Sequence, residues 1–166
     1  MEERFEKLID FTLRKEALAG KARVIFPRAD QWKKFAKEKN ELAMQYELLL
    51  KKSSVLLVDE KEEKKRADYS KSLTISIKEP KKRFATPEAK EKFPHMADLC
   101  RMNCGMDILI LMNPHELSVL SLEKQSEAIV QELLHYEEHR TGNFLPADQI
   151  IEKAKKIVEE FLKHVT

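Results

Sequence analysis

Apolar and polar residues repeat along this chain with two different periods, which together predict an α+β fold. Five stretches place apolar side chains at the three- and four-residue spacing of amphipathic helices: 2–18, 29–52, 86–104, 121–140 and 146–164. Four shorter stretches are predicted to be strands: 22–26, 54–58, 72–77 and 107–112. We therefore expect a single domain over residues 1–166, in which a small mixed four-stranded sheet packs with five or six helices.

Caps and helix breakers place several boundaries of these elements. Gly20 is predicted to end the first helix, because glycine readily adopts the left-handed conformation found after helix ends. Thr86 has the form of an N-cap, and Pro94 is expected to interrupt the helix that follows it. Ser121 and Gly142 are positioned to cap the two ends of the helix 121–140.

Composition excludes several classes of protein. A hydrophobic share of 42% can form a core, and two cysteines are too few for a secreted disulfide scaffold. We expect no membrane span and no signal peptide, because apolar runs fall short of the roughly 20 residues that a span needs. The cytoplasm is therefore the expected location. The high share of Lys and Glu is typical of proteins from hot environments.

The small net charge of +2 conceals an uneven distribution. Residues 1–90 carry a net charge of +7, whereas residues 91–166 carry −5. A basic first half could contact an anionic partner such as nucleic acid, although solvated helix faces would give the same pattern. The candidate phosphate contacts lie in the charged segment 61–66 and in the connection 78–84. They are Lys64, Lys65, Arg66, Lys81, Lys82 and Arg83.

The helix 121–140 carries the strongest candidate for chemistry. Its apolar side is predicted to face the core, and Gln131, Glu132, His135 and His139 gather on the other side. Imidazoles four residues apart lie one turn apart, so both can reach a single metal ion. Glu132 lies on the same side and could polarise a metal-bound water.

The order of elements adds to this pattern. A strand, a turn and a helix that contains Gln131-Glu132-Leu-Leu-His135 resemble the edge strand and active-site helix of zincin metallopeptidases. The closest resemblance is to the small metallopeptidases of archaea and phages, and it covers about residues 106–142. It implies a zinc ion and a peptide or protein substrate.

The resemblance carries over to particular positions. Glu132 matches the general base and His135 matches the second zinc ligand, whereas Gln131 stands where the family has its first ligand histidine. Candidate third ligands are His139, Glu152 and Glu159. Because an amide oxygen is a poor zinc ligand beside an imidazole, the expected outcome is lost or altered hydrolytic activity.

Other interpretations of the same residues remain open. His135 to His139 also fits the inverted histidine-x-x-glutamate-histidine pattern, with Glu138 as the base. Cys100 and Cys104 could join the two histidines around a structural zinc, but buried free cysteines are the favoured alternative. The histidine face could also be a solvated surface of a structural protein without a site. Three glycines exclude a Gly-rich phosphate loop.

Overall fold

The computed structural model describes residues 2–53, 68–84 and 86–165. Their helices are α1 (Glu2–Lys15), α2 (Ala29–Ser53), α3 (Pro80–Phe84), α4 (Pro87–Lys92), α5 (Pro94–Met102), α6 (Pro114–Leu117), α7 (Leu122–Thr141) and α8 (Ala147–Val165). Their strands are β1 (Ala22–Ile25), β2 (Thr74–Lys78) and β3 (Ile108–Met112). A 3-10 turn, Tyr69–Lys71, precedes β2. The predicted mixture of helices and strands is confirmed, with three strands in the described ranges. The predicted strand 54–58 lies outside them.

The sheet has the order β1-β3-β2, so the most apolar strand lies in the middle. β1 runs parallel to β3, with Val24 opposite Ile110, and β2 runs antiparallel, with Ser76 opposite the same residue. All five residues of β3 are buried because helices cover both faces of the sheet. The resemblance had suggested an edge strand at this position, but β3 is the central strand of the described sheet.

Side chains that alternate along β3 belong to two separate hydrophobic clusters. Ile108, Ile110 and Met112 pack with α1, α7 and α8 on the first face of the sheet. Leu109 and Leu111 pack on the second face with aromatic residues of α2 and α3 and with Phe93, which lies between α4 and α5. The helix that carries the candidate histidines therefore lies on the first face.

The first helix ends before the predicted boundary, and the predicted cap at Gly20 is wrong. α1 stops at Lys15, and Ala17 adopts the left-handed conformation, with φ of 51°. The Leu18 N–H then donates to the Leu13 carbonyl at 2.9 Å, which closes the helix end. The left-handed residue that ends this helix is therefore Ala17 and not the predicted Gly20.

The interruption at Pro94 is confirmed. Phe93 separates α4 from α5, and Thr86 caps α4 by accepting a hydrogen bond from the Ala89 N–H at 3.1 Å. The N-terminus of α5 has no cap of its own. Glu38 of α2 supplies one, since its carboxylate accepts from the backbone N–H groups of His95 and Met96 at 3.1 and 2.9 Å.

Two connections contain short helices that the sequence did not predict. α3 lies within the predicted basic connection 78–84, and α6 follows β3 directly. In the described ranges, no helix is both long enough and apolar enough to cross a membrane.

Candidate functional site

Local sequence fixes both ends of α7, as predicted. The Ser121 hydroxyl accepts from the Lys124 N–H at 3.2 Å, and Gly142 ends the helix with φ of 77°. The predicted core side of the helix is also confirmed: Ile129, Val130, Leu133 and Leu134 are buried in the cluster on the first face. The remaining sides of α7 are therefore oriented by the packing of this apolar stripe.

Glu132 lies against β2, one of the two outer strands of the described sheet. The Thr74 hydroxyl donates to Glu132 Oε1 at 3.1 Å, and the Ser76 hydroxyl donates to Glu132 Oε2. Thr74 and Ser76 alternate with Ile75 and Ile77, which are buried on the second face. The carboxylate of Glu132, which the resemblance matches to the general base, therefore connects α7 to the sheet through hydrogen bonds.

His135 is oriented by a second carboxylate. Its Nδ1 lies 3.0 Å from Glu138 Oε1, and Glu138 Oε2 accepts from the Leu145 N–H at 2.6 Å. A histidine whose Nδ1 is held by a carboxylate presents its Nε2 to other groups, as metal-bound histidines commonly do. The same contacts engage Glu138, which is the base of the inverted pattern.

His139 is exposed one turn further along α7. Partial burial of the ring and the positive charges of Lys78 and Arg83 lower the pKa of His139, whereas the charge of Glu79 acts in the opposite direction. The charges around this imidazole therefore include two cations, which repel a divalent metal ion.

The other candidate zinc ligands lie on two helices, α7 and α8. Gln131 is half-buried on α7. Glu152 and Glu159 are exposed on α8, and Glu152 Oε1 lies 3.9 Å from the Lys155 ammonium group. Within residues 2–53, 68–84 and 86–165, no three His, Cys, Asp or Glu side chains come together as a group that could hold a metal ion.

This arrangement does not fit a catalytic zinc ion. Such an ion needs three protein donors and an open position for water. The two imidazoles lack a third donor among the described groups, and each oxygen of Glu132 already accepts a hydrogen bond from a hydroxyl of β2. The nearby Lys78 and Arg83 add an electrostatic cost to binding a cation.

The cysteines lie apart from the histidines. Cys100 is buried in the cluster on the second face of the sheet, and burial is the largest cause that raises the pKa of its thiol to about 12. Cys104 is exposed. The prediction that both are buried holds for Cys100 alone, and the sheet lies between Cys100 and α7.

The candidate nucleic-acid contacts divide into two groups. Lys64, Lys65 and Arg66 lie outside the described residues. Lys81, Lys82 and Arg83 are exposed on α3.

Sequence reasoning missed the residues of β2 that face α7. The alternation in 72–77 predicts the correct period, but it assigns Thr74 and Ser76 to a solvent-facing side. They are half-buried instead, because α7 covers that side. Two hydroxyls spaced two residues apart on a strand were the available signal, although a single sequence does not say which helix lies above them.

Comparisons with protein-family models, with curated proteins and with solved structures gave no significant match.

Proposed function

We propose that this chain is a zincin-like domain that has lost zinc-dependent peptide hydrolysis. The observation that carries the proposal is the contact of Glu132, on α7, with an antiparallel outer strand of the sheet. In the zincin arrangement a strand of this kind borders the active-site helix. Here the strand is β2 and not the strand 107–112 on which the resemblance rests, and the hydroxyls of β2 bind the residue that matches the general base.

The contacts of the matching residues support the proposed loss of hydrolysis. A general base must be able to reach a water molecule, whereas each oxygen of Glu132 gives one of its two lone pairs to a hydroxyl of β2. Gln131 replaces an imidazole at the position of the first ligand. The helix thus keeps His135 with its orienting carboxylate, while its catalytic carboxylate serves the packing of α7 on the sheet.

Zinc binding and peptide hydrolysis test this proposal together. We expect untagged protein to bind zinc with a Kd above about 1 μM, which corresponds to a binding free energy weaker than about 8 kcal/mol. Structural zinc sites contribute roughly 10–16 kcal/mol. We expect no hydrolysis of a peptide library in excess zinc. Zinc-dependent hydrolysis that disappears in Glu132→Gln would overturn the proposed loss of activity.

A second variant tests the zincin-like geometry itself. Gln131→His places an imidazole one turn before His135 and beside Glu132, so zinc affinity should rise by about tenfold or more. The matched control is the pair Lys33→His and Lys37→His, which adds two imidazoles at the same spacing on an exposed face of α2. An equal or larger gain in zinc affinity in the control would mean that the face of α7 binds zinc no better than any exposed helix with two histidines at this spacing.

A nucleic-acid-binding module is the second candidate, and it is favoured by three consecutive exposed cations on α3. Its affinity for single-stranded DNA should fall steeply between 50 and 200 mM salt, at roughly the slope expected when several counterions are released. Lys82→Glu should weaken binding further. Absence of binding at low salt would remove this candidate.

A further inference from the structure

A groove with a volume of about 470 Å³ lies between α1 and the C-terminal end of α8. Sites for small molecules typically have volumes of about 300–1,000 Å³. An ion pair between Lys15 and Glu160 joins the two helices, and Lys15 itself lines the groove. The groove is therefore formed by packed helices that are held together by a contact of their own, and not by a loop.

Three aromatic rings lie next to one another at this groove. The centroid of the Phe11 ring lies 5.6 Å from that of Phe161 and 5.4 Å from that of His164, with the ring planes tilted by 58° and 59°. Phe161 is buried, Phe11 is half-buried, and Val165, which also lines the groove, is 51% exposed. Aromatic rings pair favourably at centroid distances of about 4.5–7 Å. The groove therefore offers the ring of a ligand both aromatic partners and exposed apolar surface.

Two cations of α1 line the same groove. Lys7 and Arg14 are exposed, and neither forms an ion pair with a residue that the structure describes. The charge of Lys15 is balanced by Glu160, and Asp10 is the acidic residue among those that line the groove. One positive charge is therefore in excess at the groove, which favours a ligand with a single negative charge.

We propose that this groove binds an aromatic carboxylate. The ring of the ligand packs against Phe11 and Val165. Its carboxylate binds Arg14, whose guanidinium can donate two parallel hydrogen bonds, and Lys7 adds a second positive charge. The C-terminal end of α8 carries a partial negative charge, so the carboxylate lies on the α1 side of the groove and the ring on the α8 side. The site uses no residue of α7 and does not depend on the proposed zincin-like function.

Titration with phenylbutyrate tests the site directly. At constant ionic strength, the side-chain NMR signals of His164 should shift and saturate, whereas those of His95 on α5 should not. Phenylbutanol has the same apolar body without the charge, and its Kd should be about fivefold higher or more because it loses the attraction of two cations. Octanoate should also bind more weakly than phenylbutyrate, since it has no ring to pair with Phe11.

Variants separate the effect of charge from that of apolar contact. Arg14→Gln should raise the Kd for phenylbutyrate about threefold, as expected for the loss of one exposed charge pair. Val165→Asp should raise the Kd further, because it removes apolar contact area and places a like charge beside the ligand. The matched control is Lys81→Gln on α3, which removes an exposed positive charge and should change the Kd by less than about 1.5-fold, because salt screens distant charges. The thermal midpoint of each variant verifies that it is folded.

Four outcomes would overturn the proposal. A response of His164 that does not saturate would mean that phenylbutyrate has no defined site in the groove. Equal Kd values for phenylbutyrate and phenylbutanol would show that the cations do not select an anion. Equal effects of Lys81→Gln and Arg14→Gln would show that attraction depends only on net charge. Octanoate that binds as tightly as phenylbutyrate would show that the groove does not select an aromatic ring.

Discussion

The contact between Glu132 and β2 makes a prediction that separates a structural carboxylate from a catalytic one. Glu132→Ala removes an acceptor from the hydroxyls of Thr74 and Ser76. Hydrogen bonds to a charged group contribute about 1.5–3 kcal/mol each when well shielded. Because Glu132 is half-buried, the lower end of that range applies, and we expect a total loss of about 2–3 kcal/mol in the free energy of unfolding.

A double-mutant cycle assigns that loss to the contact itself. Urea denaturation of Glu132→Ala, Ser76→Ala and the double variant should give a coupling energy of about 1–1.5 kcal/mol. Glu137→Ala, five residues further along α7, is the comparison. The Glu137 carboxylate pairs with the exposed Arg140, so its removal should cost no more than about 0.5 kcal/mol. A coupling energy near zero would refute the inference that Glu132 stabilises the packing of α7 on the sheet.

Three further predictions concern other parts of the fold. Glu38 is only 5% exposed and caps α5, so Glu38→Ala should lower the free energy of unfolding, measured by urea denaturation, by about 2–3 kcal/mol. The control, Glu41→Ala on the exposed side of α2, should change it by less than about 0.5 kcal/mol. Ala17→Gly should raise the thermal midpoint, because glycine avoids the cost of roughly 1 kcal/mol that alanine bears at positive φ; an unchanged or lower midpoint would contradict the assigned helix end. Cys104 should react with a thiol reagent at neutral pH while Cys100 reacts only on unfolding, since Cys100 is buried and its pKa is raised to about 12; comparable rates in the native protein would contradict this.

The sequence predicts elements best where local pattern and tertiary environment agree. β3 is predictable because its uninterrupted apolar residues suit a strand covered on both faces. The break at Pro94 follows from the missing N–H of proline. The end of α1 is not predictable in this way, because Ala17 adopts a conformation that its own side chain disfavours.

The candidate site was predictable only in part, for a related reason. Helical periodicity correctly places Glu132 and His135 away from the apolar stripe of α7. It contains no information about what lies opposite that side. The contact with Ser76 depends on strand order, whereas the contact between His135 and Glu138 joins residues three apart on the same helix and is compatible with their spacing in the sequence.

The two hydrophobic clusters meet at β3, and this has a consequence for how the domain loses its structure. Ile110 packs into one cluster and Leu111 into the other, although their peptide groups are adjacent. Detaching the helices from either face would expose one side of a strand whose backbone also supports the opposite layer. Loss of packing in one layer therefore destabilises β3, on which the other layer also packs. We expect both layers to unfold in one cooperative transition rather than one after the other.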